Sequence, residues 1–320
     1  MRIRGLDLRL CAVLVALGAV ACSEDPVALD FTRPAQAAPT RPRRSPERLV
    51  VGIGAMLGPE ETYESHAALV RYVARAAGRE ADIVQRRTYQ EMNRLLADGD
   101  VDIAFICTGA YVAVRDQVVF LAAPILHGEP TYRSLIIARR GGPASMDELR
   151  GKRFAFTDPL SNTGRLFPIY LVQRRFDMSA RDFFGAVTYS GAHDESVRLV
   201  ASGLVDGAAV DGHVFRRMLG DHPEWSERIV VLERSPPFGS PPFVARADLP
   251  ASLISQLRAI LLGAGDDPRA RPLLDRVGID GFAPTADYSL AVEVTAAATG
   301  EAPGIDDTAA APHAGEDRSP

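Results

Sequence analysis

The chain has 320 residues, 47% of them hydrophobic and 24% charged, a soluble globular balance with enough length for two lobes that each bury a core. Its formal net charge of -5, with Lys and Arg scattered among Asp and Glu, offers no basic stripe to nucleic acid and excludes that class of partner.

The first segment, "MRIRGLDLRLCAVLVALGAVACSED", sets Arg2, Arg4 and Arg9 before an apolar run, Leu10 to Val20, that is too short for a stable membrane span. This is the pattern of a secretory signal, residues 1–22. Its end, "AVAC", resembles a bacterial lipoprotein lipobox, which implies lipid on Cys22 after cleavage. The alternative is ordinary cleavage after Ala21, which leaves a free protein. Export leaves Cys107 as the last of the three cysteines, so no intramolecular disulfide is expected. Cys107 follows the apolar run "VDIAFI" and reads as a small buried filler. Residues 23–46, rich in Pro, Ala and charge, read as a flexible tether, and residues 295–320 as a disordered tail.

Between them strand-like runs alternate with amphipathic helical ones. "RLVVGIGA" predicts a strand, "ESHAALVRYVARAAG" a helix, "ADIVQRR" a strand, "YQEMNRLLADG" a helix and "DIAFI" a strand. The pattern restarts with "KRFAFTD", "GRLFPIYLVQRRF", "GAVTYS", "HDESVRLVASG" and "DGAAVD". Two βαβαβ units in tandem imply an α/β protein of two lobes: residues 47–135, then 136–235, then a return of 236–294 to the first lobe. "YRSLIIARR" from Tyr132 and "SPPFGSPPF" from Ser235 read as two extended hinge crossings, leaving a cleft at the carboxyl ends of the strands.

Polar groups gather at those strand ends. Ser161, Asn162 and Thr163 open a helix at Gly164, where unpaired backbone N–H groups and the helix dipole suit an anion with several oxygens. Helix capping explains the same three residues, and alone it is the simpler account. Repetition favours the cradle: Tyr63, Tyr111, His193 with Asp194, and Asp211 each follow a further strand. Asp211 suits equally a helix cap or a contact with a cationic or protonated part of a ligand.

Tyr63, the "GAY" at Tyr111, "FTDPLSNTG", "YSGAHDES" and "VDGAAVD", in this order, resemble the periplasmic phosphonate-, phosphite- and phosphate-binding proteins of ABC transporters, over roughly Leu49 to Leu290. The resemblance implies a two-lobe, type II periplasmic-binding-protein fold whose lobes close on the ligand. Ser161, Asn162 and Thr163 would hold the phosphorus-bound oxygens, His193 and Tyr63 would complete that shell, and Tyr111 and Asp211 would face the other end. Asn162 stands where the family often has Thr or Ser, and its amide still donates. The implied protein needs no cofactor, works as a monomer and partners an ABC permease or, alternatively, a sensor kinase.

An enzyme is the competing class. The chain lacks a Gly-x-Ser-x-Gly elbow and a His-Glu-x-x-His metal motif, and adjacent His193 and Asp194 are ill placed to act as base and orienter, so neither a catalytic nor a metal site is expected. Trp225, in "DHPEWSER", reads as a packing residue.

Overall fold

The computed structural model describes residues 47–54, 56 and 58–300. The signal, Cys22 and the tether as far as residue 46 lie outside the described residues, as does the tail beyond 300.

In chain order, β1 (Arg48–Ile53), α1 (Pro59–Ala76), β2 (Glu80–Gln85), α2 (Tyr89–Ala97), β3 (Ile103–Phe105), α3 (Thr108–Val114) and β4 (Val118–Ile125) come first. A short β5 (Thr131–Tyr132) leads to β6 (Ser134–Arg139), β7 (Arg153–Phe156), α4 (Phe167–Phe176), α5 (Ala180–Phe183), β8 (Ala186–Tyr189), α6 (His193–Ser202), β9 (Gly207–Asp211), α7 (Gly212–Asp221) and β10 (Ile229–Arg234). The chain then runs through β11 (Phe238–Gly239), β12 (Phe243–Arg246), α8 (Ala251–Gly263), α9 (Arg271–Val277), β13 (Gly281–Ala283) and α10 (Ser289–Thr299).

Two sheets organise these elements. The first has strand order β13-β4-β12-β3-β1-β2 and the second β10-β6-β9-β7-β8. β1 pairs in parallel with β2 and β3, and β7 in parallel with β8 and β9, which are the two units the hydrophobic pattern predicts. β12 enters the first sheet antiparallel between β3 and β4, and β6 and β10 close the second antiparallel. Apolar residues fill the layers on both faces. Leu69, Val73, Leu253 and Leu257 of α1 and α8 cover one side of the first sheet, and Met92 and Leu96 of α2 the other. Phe167, Ile169 and Val172 of α4 cover one side of the second sheet, and Val197 and Phe215 of α6 and α7 the other. A strand covered on both faces reads as a continuous apolar run, which is why these strands are legible.

The crossings between the sheets lie side by side. β5 pairs antiparallel with β11 as a two-residue ribbon, Tyr132 opposite Phe238 and Thr131 opposite Gly239. The first crossing is therefore shorter than the stretch Tyr132 to Arg140 suggests, because Ser134–Arg139 is already a strand of the second sheet. α1 also begins earlier than expected, at Pro59, where a proline in the first turn loses no hydrogen bond and Glu60 and Glu61 face the positive end of the helix. At the other end α10 continues through Thr299, past the boundary at 295 expected for the tail, because Ala291, Val294 and Ala298 bury in the core of the second sheet. The return segment thus does not rejoin the first lobe alone.

Candidate functional site

The carboxyl ends of β1, β3, β7, β8 and β9 converge where the two lobes touch. Several bonds cross that boundary. The Tyr89 N–H donates to Asp158 Oδ2 at 3.1 Å, the His193 N–H to the Met56 carbonyl at 3.1 Å, and the Gly58 N–H to Asp194 Oδ1 at 3.1 Å. An ion pair of 2.9 Å between Arg217 and Glu61 lies alongside. The lobes are drawn together, and Ser161, Asn162 and Thr163 sit inside with no exposed surface.

After β7 the backbone turns through Asp158, whose Oδ1 accepts the Leu160 N–H at 2.8 Å, and enters a π-helical turn, Asn162–Leu166, ahead of α4. Ser161 Oγ accepts the Gly164 N–H at 3.0 Å, so Ser161 is the helix cap. Gly164 must be glycine here: a Cβ would collide with Thr157 Oγ1 and lie 2.8 Å from Ser161 Oγ. The neighbouring residues are not engaged in the same way. Thr163 Oγ1 and Asn162 Oδ1 are buried without a hydrogen-bond partner, while Asn162 Nδ2 donates to the Tyr132 hydroxyl at 3.2 Å. Half a turn of the amide exchanges its ends, letting Oδ1 accept the Tyr132 O–H and freeing Nδ2 as a donor. Unpartnered polar atoms cost free energy in a buried place, which marks a corner built to meet further polar groups.

His193 closes one side. The Asp211 backbone N–H, which can only donate, reaches His193 Nδ1 at 3.1 Å, so Nδ1 carries the lone pair and Nε2 the proton. Nε2 lies 3.4 Å from Ser161 Oγ. Burial holds the imidazole below its ordinary pKa, against the opposing pull of Asp211 and Asp194. His193 is thus a neutral N–H donor aimed into the corner, not an imidazolium.

Asp211 caps α7, its Oδ1 accepting from the His213 and Val214 N–H groups at 2.7 and 3.2 Å. Of its two expected roles the cap is realised, with the carboxylate still at the edge of the interlobe cleft. Asp194, with Oδ2 on Arg198 Nη1 at 2.6 Å, joins the lobes. The two tyrosines are not brought to the corner. Tyr63 is 40% exposed on α1, its hydroxyl accepting from Arg71 at 2.6 Å. Tyr111, half-buried on α3, packs edge-on against Tyr288 with ring centroids 4.8 Å apart.

Other groups stand at the corner in their place. Tyr89 opens α2 with a buried hydroxyl that has no partner, within electrostatic reach of Cys107, Asp158, Tyr132 and Asp211. Burial pushes its phenol well above the ordinary value, so it remains a donor. Thr157, the last residue before Asp158, places its hydroxyl 3.2 Å from His193 Nδ1. Both follow strand ends, so the rule that picks out Ser161 also reaches them. Tyr132 carries no such signal, because the crossing brings it in from outside the sheets.

Comparison with known proteins bears on the family and the fold. Residues 51–290 match the family model described as ABC transporter, phosphonate, periplasmic substrate-binding protein. The phosphonates-binding periplasmic protein of Escherichia coli (strain K12) is 27% identical over 198 residues, 59% of this chain and 58% of that protein, so the aligned part spans less than two thirds of the relative. A phosphate-import protein of Mycolicibacterium smegmatis is 26% identical over 209 residues, 61% of this chain and 65% of that one. Among solved structures, PhnD1 of Prochlorococcus marinus (MIT 9301) in complex with methylphosphonate superposes with a TM-score of 0.70 at 18% identity, covering 78% of this chain and 97% of that chain, which establishes the shared two-lobe fold. With three quarters of its length inside the family model and the same two sheets meeting at a cleft, this chain belongs to the periplasmic substrate-binding proteins of phosphonate ABC transporters.

Proposed function

We propose that this chain captures a small tetrahedral phosphorus oxyanion, a phosphonate, phosphite or phosphate, between its lobes and presents it to an ABC permease. The observation that carries the reading is the Thr163 hydroxyl, buried without a partner next to Asn162 in the turn whose Ser161 hydroxyl lies 3.4 Å from His193 Nε2. Neutral donors held in place suit an oxyanion, because hydrogen bonds to a charged acceptor are about twice as strong as neutral ones and no donor charge needs burying. Asp211 does not oppose this reading: its charge faces two N–H groups at the positive end of α7, so the ligand need not supply a cation.

The test is calorimetry of the body, residues 47–300, against phosphate, phosphite, methylphosphonate, 2-aminoethylphosphonate and sulfate. One phosphorus oxyanion is expected to bind at least tenfold more tightly than sulfate, with affinity falling roughly 10- to 100-fold in Thr163→Val, the loss of one hydrogen bond to a charged group. Binding of none of the phosphorus oxyanions, or full affinity in the variant, sinks the reading. The sensor-kinase alternative has no observation in its favour. We further propose that the protein is tethered by lipid on Cys22, a reading that rests on the "AVAC" sequence and that mass spectrometry of the mature N-terminus decides.

A further inference from the structure

Beside the corner the interlobe cleft widens into a pocket of about 400 Å³. That lies within the range of roughly 300–1,000 Å³ typical of sites for organic ligands. Its walls are mostly apolar: Met56, Phe105 and Leu126 come from one lobe, and His213 and Val214, at the start of α7, from the other. Flat rings line it. His66 stacks on Phe105 with centroids 5.5 Å apart, and His127 stacks on His213 at 5.5 Å with planes 21° apart. His66 is held neutral by burial, with its pKa lowered to about 4, so it acts as an aromatic wall and not as a cation. Arg216, Arg217 and Arg276 stand among the lining groups together with Asp211 and Asp275, so the charged part of the lining is mixed.

Two of the lining residues touch His193, at the edge of the corner. Met56 lines the pocket, and its carbonyl accepts the His193 N–H at 3.1 Å. Asp211 lines it too, and its N–H donates to His193 Nδ1 at 3.1 Å. The pocket thus borders the His193 side of the corner. Phosphate or phosphite has nothing to place there.

We infer that the pocket is a second subsite of the same binding site, and that the ligand is an organophosphonate or phosphate monoester whose apolar, ring-bearing substituent lies between Phe105 and His213. The inference rests on the oxyanion reading above and narrows it.

Calorimetry with benzylphosphonate and methylphosphonate on the full body, residues 47–300, tests it. Benzylphosphonate binds at least tenfold more tightly than methylphosphonate, and the filling substitutions Val214→Phe and Leu126→Phe each erase most of that preference, read as the ratio of the two affinities within each variant. Proton NMR locates the ring without any substitution, as ring-current shifts at the imidazole protons of His127 and His213. Equal or weaker binding of benzylphosphonate, a preference insensitive to the folded filling variants, or unshifted imidazole signals each overturns the subsite and leaves the oxyanion reading standing. Failure of both phosphonates and of phosphate to bind removes that reading, and the subsite with it.

Discussion

Thr163 poses a conflict between stability and binding that a single substitution separates. Its hydroxyl is fully buried and unpartnered in the protein alone. Valine has nearly the same shape without the polar atom. Thr163→Val should therefore raise the stability of the ligand-free protein by about 1 kcal/mol while weakening ligand binding. Thermal melts and calorimetry on the same sample check both signs, and a fall in both contradicts a ligand role for the hydroxyl. His66 governs a different response. Its pKa is lowered to about 4 by burial, opposed by the Thr62 carbonyl and assisted by Arg217, whereas in the unfolded chain it titrates near 6.5. The unfolded chain binds the extra proton, so this contribution to stability is complete above pH 6.5 and declines as pH falls toward 4, by about 3 kcal/mol in all. His66→Phe, which keeps the stack on Phe105, should flatten that part of the denaturation profile; an unchanged slope refutes the assignment. At this scale what the sequence makes legible is placement: Ser161, His193 and Asp211 each follow a strand end, and the fold brings Ser161 and Asp211 each within hydrogen-bond distance of His193. The strand-end position alone does not foretell that Tyr63 lies 40% exposed on α1 or that Tyr111 packs edge-on against Tyr288.

Elements that are buried on both faces announce themselves, and elements that depend on a distant partner do not. β1, β3, β7, β8 and β9 are recoverable from short apolar runs bounded by turns. The helix Ser289–Thr299 is not, because alanine and threonine fill a sequence whose only strong signal is the small face it presents to α4. Its packing nevertheless ties the return segment to the second lobe. Just ahead of it, the Gly239 N–H donates to the Asp287 carbonyl at 2.9 Å and the Tyr288 hydroxyl to the Ser240 carbonyl at 2.8 Å. These bonds hold the strand beside the crossing ribbon, so α10 acts as a strap over the hinge. Val294 is fully buried within that packing. Val294→Asp places an unpaired carboxylate there and should cost about 3 kcal/mol or more, read as a lower midpoint in urea. A variant with the wild-type midpoint refutes the strap. Truncation after Tyr288 is expected to lower the midpoint in the same direction.

For the whole molecule the decisive property is how closely the lobes approach, and Gly109 sets that limit. It lies in α3 on the first lobe, and a Cβ there would run into the Leu160 carbonyl oxygen of the second lobe while lying 2.9 Å from Leu166 Cδ1 and 3.0 Å from Asn162 N. Two of those atoms are backbone and cannot swing aside. With the lobes apart the obstruction vanishes, and alanine in place of glycine favours the helix by roughly 1 kcal/mol. Gly109→Ala should thus hinder the closed arrangement in which Tyr89, Asp194 and His193 bond across the boundary, and shift the protein toward lobes held further apart. A ligand that binds the closed state gains only what closure allows, so its affinity should fall at least tenfold with no contact to the ligand altered. Small-angle scattering with the oxyanion present should show the variant more extended than the wild type. Wild-type affinity together with wild-type dimensions in Gly109→Ala would mean that the lobes do not need to meet this closely, and that the corner at Thr163 works without closure.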